Sequence, residues 1–259
     1  MSRLVLIPAA GEGSRFAKAG IKAPKPLIQV QGQTLLEHTL TSFAFEDGDH
    51  LMLAVQRRHG IQEAISARLA HSYPQLRLHW LELDQLLPGQ LATSAAAVDA
   101  LLQEQPQCRD FSLLIHNCDT GFHWSPALGQ VDGLASMPVF EAEGEHWSFG
   151  QPDPQNPLRA IAIAEKRRIS NLASIGLYGF LSAAQFLDRA HQQLNNGATM
   201  NGEHYIAPML QAALEAGEQI ALPRVQGVKL YGTPAELCQT FQLDLQTLID
   251  SNRQPLNAA

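Results

Sequence analysis

Leu4-Val5-Leu6-Ile7-Pro8-Ala9-Ala10-Gly11-Glu12-Gly13-Ser14-Arg15 stands near the start of this 259-residue sequence and decides how the rest is read. Four consecutive apolar residues are too few for a helix face and show no polar alternation, so residues 4–7 read as a strand buried on both sides. A loop of small residues with two glycines follows at once. Such a loop lets backbone N–H groups approach an anion closely, and the Arg15 guanidinium adds a planar, permanently charged fork. A dinucleotide loop would also sit here, but its G-x-G-x-x-G/A pattern places Phe16 where close helix packing needs a small residue. The Gly-Lys-Ser/Thr of a Walker A loop is absent as well. Taken alone, the glycine pair serves a tight turn as readily as a phosphate.

Beyond that loop, short apolar runs alternate with helical patterns. Thr34 can cap a helix whose Leu35, Leu36, Thr39, Leu40 and Phe43 fall on one face. Residues 51–55, 76–83 and 112–115 read as further strands, with helices over 61–69 and 90–103 between them. Strands alternating with helices imply parallel crossovers, hence an α/β fold with a doubly wound sheet. The second half changes character. Strands are expected over 134–140, 147–151, 160–165 and 175–180, then helices over 183–194 and 203–216. A last helix from Pro234 places Leu237, Phe241, Leu245 and Leu248 on one side. With no internal repeat and no dividing linker, residues 1–251 read as one domain with two lobes, and 252–259 as a frayed tail.

Composition limits the function classes. With 18 Lys and Arg against 25 Asp and Glu, the net charge is −7, which argues against a protein that coats nucleic acid. Cys108, Cys118 and Cys238 are odd in number and show no C-x-x-C spacing, so they suggest buried thiols in a reducing compartment rather than disulfides or zinc. The apolar run near the N-terminus is too short for a signal-peptide core or a membrane span. A cytoplasmic protein without membrane contact is therefore expected.

A second segment raises the stakes of the first. Pro24-Lys25-Pro26-Leu27 holds a lysine between two prolines, which stiffens the backbone and presents the ammonium with little entropy to lose. Joined in order, A-A-G-x-G-x-R, P-K-P-L, Gly32 and Leu36-Glu37-His38 resemble the signature of sugar-phosphate nucleotidylyltransferases. The likeness extends over nearly the whole chain, through residues 13–20, Asn117-Cys118-Asp119, 165–171, 201–208 and 232–237. It resembles most a short branch associated with capsule and surface-polysaccharide biosynthesis. The fold this implies is a Rossmann-like, GT-A-like mixed sheet in three α/β/α layers. A nucleotide-binding half would span about 1–120, an acceptor-binding half about 121–235 and a C-terminal helix about 234–250.

The chemistry implied is attack of an acceptor phosphate oxygen on the α-phosphorus of a nucleoside triphosphate, in line with departing pyrophosphate. No protein nucleophile is required; positioning and charge neutralisation do the catalysis. The resemblance makes Arg15 and Lys25 the catalytic pair, with Ala9, Ala10, Gly11, Gly13 and Ser14 around the triphosphate and Gln85 and Gly89 at the base. Gln90 is an alternative to Gln85, and a glutamine by itself does not select among pyrimidines. Trp147, Gly150, Glu165, Lys166 and Glu203 are implied at the acceptor, with Lys166 on its phosphate. Asp119, at a strand end, is the implied ligand of Mg²⁺. His116, His204 and Cys118 read as structural.

One feature departs from the pattern. Many members carry a second metal aspartate just before the G-T-P segment, where this chain reads Lys229-Leu230-Tyr231-Gly232-Thr233-Pro234. Either one carboxylate with phosphates and water suffices, or another acid such as Glu203 contributes. A homodimer is compatible with the resemblance. Two other readings stay open: a cytidylyltransferase acting on a phosphorylated non-sugar, and a catalytically silent nucleotide-binding protein.

Overall fold

A seven-stranded sheet, described by a computed structural model over residues 2–253, runs in the order Ile220–Ala221, Ala135–Ser136, Leu177–Phe180, Ser112–His116, Arg3–Pro8, His50–Gln56, Arg77–Leu83. The strand Arg3–Pro8 pairs in parallel with His50–Gln56 on one side and with Ser112–His116 on the other. Leu177–Phe180 runs antiparallel to Ser112–His116, which makes the sheet mixed.

Alternation along each strand explains the layers. Leu4 and Leu6 join one buried cluster while Val5 and Ile7 join another, because successive side chains point to opposite faces. Helices Gln90–Glu104, Ala183–Asn196 and Ile206–Glu215 contribute to the first cluster; Leu35–Leu40 and Ile61–Ser72 cover the second. A run apolar on both faces needs both coverings, and the three-layer expectation is met. Thr34 caps the helix Leu35–Leu40 in a full capping box with Glu37.

The second half differs in detail from the expected strands. The stretch 134–140 divides at Met137-Pro138 into Ala135–Ser136, in the main sheet, and Val139–Glu141, in a four-stranded sheet with Leu172–Ser174, Ser148–Pro152 and Ala160–Glu165. Pro138 has no N–H to donate, so the ladder cannot run through it. The helix expected from 203 begins at Ile206, because Met200 and Glu203 exchange backbone hydrogen bonds in a tight turn. The C-terminal helix is two helices, Pro234–Phe241 and Leu245–Ser251, broken at Gln242 with φ 54°. Leu245 consequently faces solvent rather than the core.

These two helices and the segment 16–35 share a third cluster that includes Phe16, Ile28, Tyr231, Leu237 and Leu248. Phe16, the residue that disqualified a dinucleotide loop, is a core side chain here. A tail is expected from residue 252, but Asn252 is buried, its Oδ1 accepting from Gln29 N at 2.7 Å and its Nδ2 donating to Gln29 O at 3.1 Å. Arg253 is exposed and pairs with Asp250 at 2.8 Å, and residues 254–259 of that expected tail lie outside the described residues. No helix among the described residues is long and apolar enough to cross a membrane.

One buried histidine gives the fold a pH dependence. His50 stacks on His79 with ring centroids 4.9 Å apart, and burial, His79 and Arg77 push its pKa from 6.5 to about 4. The unfolded chain therefore binds a proton in this window that the native chain refuses, so stability is full above about 6.5 and falls as pH drops towards 4. We expect the thermal midpoint to fall by several degrees between pH 7 and pH 5, and His50→Asn to reduce but not abolish that dependence, because burial lowers the pKa of His59, His79 and His116 as well.

Candidate functional site

Because Arg3–Pro8 and Ser112–His116 are parallel neighbours, their carboxyl ends open on the same edge of the sheet. Arg3–Pro8 is also where the strand order reverses direction along the sheet, the place where open α/β folds form a ligand crevice. The glycine loop and Asn117-Cys118-Asp119 meet there. Two adjoining cavities, of about 530 Å³ and 490 Å³, share Arg15, Gln90, Asn117, Asp119, Tyr205 and Gly232 as lining.

The first cavity is walled by the glycine loop. Ala9 N donates to Ala54 O at 2.8 Å, and Gln56 Nε2 reaches Ala10 O at 2.5 Å, tying the loop to the next strand. Gly13 has φ 63° and begins the short helix Ser14–Lys18, a left-handed position that a side chain disfavours. Ala9, Ala10, Gly11, Gly13, Ser14, Arg15, Lys25 and Gly89 all line this cavity.

Lys25 is carried on the 3₁₀ turn Lys25–Leu27, started by Pro24 in an extended conformation. Its Nζ donates to Asp119 Oδ2 at 2.5 Å, with both side chains largely buried. Burial disfavours the charged ammonium, but the neighbouring Asp119 carboxylate outweighs it and holds Lys25 above its ordinary pKa. Burial likewise disfavours the Asp119 carboxylate, and Lys25, His116 and Arg15 together hold it below the usual range. Cys118 is buried and its thiol is pushed up to about 11, the opposite of an activated nucleophile.

The second cavity carries Trp147, Ser148, Glu165, Lys166 and Tyr178. Lys166 has φ 48°, and its Nζ donates to Tyr205 Oη at 2.6 Å while standing 4.2 Å from the ring centre. The Tyr205 hydroxyl in turn donates to the Glu203 carboxylate. Burial raises the pKa of Glu165, although Ser148 Oγ donates to it and Lys166 lies nearby. Trp147 packs on His146 and Phe140, and its Nε1 donates to Glu143 O at 3.0 Å.

Several expected positions lie elsewhere. Gly150 is buried away from both cavities; a β-carbon there would stand 2.8 Å from Leu222 and 2.9 Å from Met137. Gln85 is exposed beyond the strand Arg77–Leu83 and lines neither cavity, whereas Gln90 lines both and donates to Asn117 Oδ1 at 2.6 Å. Gly89 does line the first cavity, but its missing side chain leaves room for His204, whose backbone O and N lie 2.5 Å and 2.7 Å from a would-be β-carbon. Glu203 lines the first cavity and reaches the second only through Tyr205 and Lys166. Tyr205, Tyr178 and Glu236 join the site without having been given a role from the sequence, and Asn117, quoted there as part of Asn117-Cys118-Asp119, joins it too. Tyr205 and Glu236 do lie inside the quoted stretches 201–208 and 232–237, which was the available signal.

Glu236 arrives through a small ladder. Leu230 pairs with Thr120 and Lys229 with Gly121, and Tyr231 N donates to Asp119 O at 3.1 Å. Gly232 then lies between two carboxylates: a β-carbon on it would stand 3.1 Å from Asp119 Oδ2 and 3.3 Å from Glu236 Oε2. Among the described residues, no three His, Cys, Asp or Glu side chains are close enough to hold a metal by themselves. The donor chemistry still fits Mg²⁺, which keeps waters and takes phosphate oxygens alongside one or two carboxylates. A cation already stands on Asp119, in the form of the Lys25 ammonium.

Comparison with known proteins identifies the family and the fold. The MobA-like NTP transferase domain family matches residues 5–167. A nucleoside-diphosphate-sugar pyrophosphorylase from Vibrio cholerae RC9 superimposes with a TM-score of 0.80 at 27% identity, covering 92% of this chain and 99% of that one. An inositol-1-phosphate CTP transferase from T. maritima shares the fold, with a TM-score of 0.69 at 14% identity over 96% of each chain. The 2-C-methyl-D-erythritol 4-phosphate cytidylyltransferase of Neisseria meningitidis serogroup C is 33% identical over 75 residues, which span 29% of this chain and 30% of that protein. With a matching domain over most of its length, a Rossmann-like nucleotidyltransferase fold and the glycine loop at the sheet's switch point, the chain belongs to the MobA-like NTP transferase family.

Proposed function

We propose that this protein transfers a nucleoside monophosphate from a triphosphate to a phosphorylated acceptor, most simply a sugar phosphate, and releases pyrophosphate. The observation that carries this reading is the pair of adjoining cavities, one bearing Lys25 and the other Lys166, with Arg15 and Asp119 lining both walls. Two anions must be brought together for this reaction, and the site offers a separate cation to each. The likeness to the Vibrio cholerae pyrophosphorylase supports a sugar phosphate as acceptor. The motifs resembling capsule-associated enzymes support a role in surface-polysaccharide precursor supply. The three free thiols support a cytoplasmic setting.

In this reading the triphosphate lies along the loop 9–15, its backbone N–H groups and Arg15 holding the phosphates that leave. Lys25 exchanges Asp119 for the α-phosphate as the nucleotide enters, so its positive charge is already positioned before the new P–O bond forms. Lys166 holds the acceptor phosphate, and Tyr205 keeps the lysine head group oriented towards it. The acceptor oxygen attacks the α-phosphorus and the α–β bridging bond breaks, its electron pair leaving with pyrophosphate. Mg²⁺ held by Asp119 would neutralise phosphate charge when bound. Gln90, inside the cavity, is placed better than Gln85 to meet a base, with Gly89 beside it. Trp147 and Glu165 bound the acceptor space, and Glu203 anchors Tyr205.

A second reading concerns the donor. The likeness to the Neisseria meningitidis cytidylyltransferase favours CTP, and a phosphorylated non-sugar as acceptor goes with it. A silent nucleotide-binding protein predicts binding without turnover for every donor and acceptor. Titrating CTP, UTP, dTTP, ATP and GTP with Mg²⁺ against the thermal midpoint should single out one donor, because a ligand of the native state raises its stability.

With that donor and a panel of sugar phosphates and phosphorylated non-sugars, pyrophosphate should appear, and Lys25→Ala should lower its rate by about 100-fold or more; binding without pyrophosphate across the whole panel would refute the enzyme reading. Tyr205→Phe should raise the acceptor KM by roughly tenfold, the loss of one hydrogen bond to a charged group, and leave the triphosphate KM unchanged. Lys25→Met should also destabilise the free protein by roughly 2 kcal/mol, since it strands Asp119 without its partner. Combining it with Asp119→Asn should recover most of that loss in a thermal melt.

A further inference from the structure

The carboxylate missing before Gly232-Thr233-Pro234 leaves the metal position with Asp119 alone, unless another acid reaches it. Glu203, the acid that the sequence brings forward, is already engaged: the Tyr205 hydroxyl donates to it, and Lys166 holds that hydroxyl at 2.6 Å. Glu236 has neither commitment. Among the described residues its carboxylate pairs with no cation.

Its position is set by local chemistry. Thr233 caps the helix Pro234–Phe241 by accepting from Glu236 N at 3.2 Å, which fixes Glu236 at the third helical position. Side chains on a helix lean towards its N-terminus, so the Glu236 carboxylate leans back over Gly232. Tyr231 N, bound to Asp119 O, fixes the other side of the same glycine. The absent side chain at Gly232 then leaves a gap flanked by Asp119 Oδ2 and Glu236 Oε2, at 3.1 Å and 3.3 Å from where a β-carbon would stand. Gly232 does not have positive φ, so space rather than backbone conformation is what its lack of a side chain provides. Two carboxylates facing one gap repel each other unless a cation lies between them, and Lys25 answers only Asp119.

We propose that Glu236 is the second carboxylate of the divalent-metal site, acting with Asp119 across Gly232. This rests on the nucleotidyltransferase reading. The acid has moved from the strand side of the G-T-P segment to the first turn of the helix after it. Triphosphate oxygens and water complete the coordination, and Lys25 is released from Asp119 to the α-phosphate as the metal and nucleotide enter.

Metal binding tests this without relying on turnover. Mn²⁺ is titrated in the presence of the donor selected by the thermal screen, and the free ion is read by electron paramagnetic resonance. Wild type should bind one Mn²⁺ at the site. Glu236→Gln should weaken it by about tenfold or more, as should Asp119→Asn, while Glu203→Gln stays within about twofold of wild type. Triphosphate affinity without metal should be unchanged in Glu236→Gln, whose backbone cap to Thr233 is retained. Glu236→Asp, which shortens the side chain but keeps the charge, should fall between, and serves if Glu236→Gln does not fold. Glu236 variants that hold Mn²⁺ like wild type, while Asp119→Asn does not, overturn the inference and leave the enzyme reading standing. A wild type that binds no Mn²⁺ with any triphosphate overturns both.

Discussion

The parallel pairing of Arg3–Pro8 with a neighbour on each side is the constraint from which the site follows. Side chains of alternating strand residues enter opposite cores, so the sheet must be covered on both faces, and the crossovers that cover it bring the loop that follows each parallel strand to one edge. The loop after the first strand and the loop after Ser112–His116 therefore open into one crevice although they are about a hundred residues apart in the chain. Lys25 and Asp119 meet in that crevice, and each makes the other's burial tolerable.

Electrostatic pairing before ligand entry is a recurring theme of the site. Lys25 rests on Asp119, and Lys166 rests on Tyr205, which rests on Glu203. Each cation is held in a defined place by an acceptor weaker than a phosphate would be in number of oxygens and charge. In the proposed function the triphosphate thus exchanges the partner of Lys25, and the acceptor phosphate meets a Lys166 that Tyr205 already orients; neither anion has to capture a mobile side chain, and less conformational entropy is lost on binding. The cost at Lys25 is that an anion must displace the Asp119 contact, which favours multiply charged ligands over singly charged ones.

How far the sequence could be read depended on how local each determinant was. Arg15, Lys25, Asp119 and Lys166 lie in short motifs whose geometry is set within a few residues, and the structure brings them together. Gly150 illustrates the opposite case: it stands in a strand facing Leu222 and Met137, partners that no local pattern names. Gly89 lines the expected cavity for an unexpected reason, the backbone of His204, more than a hundred residues away. Tyr205 and Glu236 were inside recognised motifs, yet what stands near them is Lys166 and Asp119, which only the folded chain sets there. Helix periodicity carried the last helix past Gln242 because Leu237, Phe241, Leu245 and Leu248 keep the spacing, while the left-handed turn at Gln242 leaves no apolar signal.

Asn252 clasps Gln29 at both its N–H and its C=O, and the helices before it pack on Phe16 and Ile28. The platform beneath Lys25 is thus completed by residues some 220 positions downstream, the separation of 223 between Gln29 and Asn252 being among the longest in the molecule. On a ribosome, the glycine loop and its lysine emerge well before the residues that complete their foundation, some 220 positions further along. A partly synthesised chain would therefore carry the glycine loop with Lys25 unseated until the two C-terminal helices have also been built.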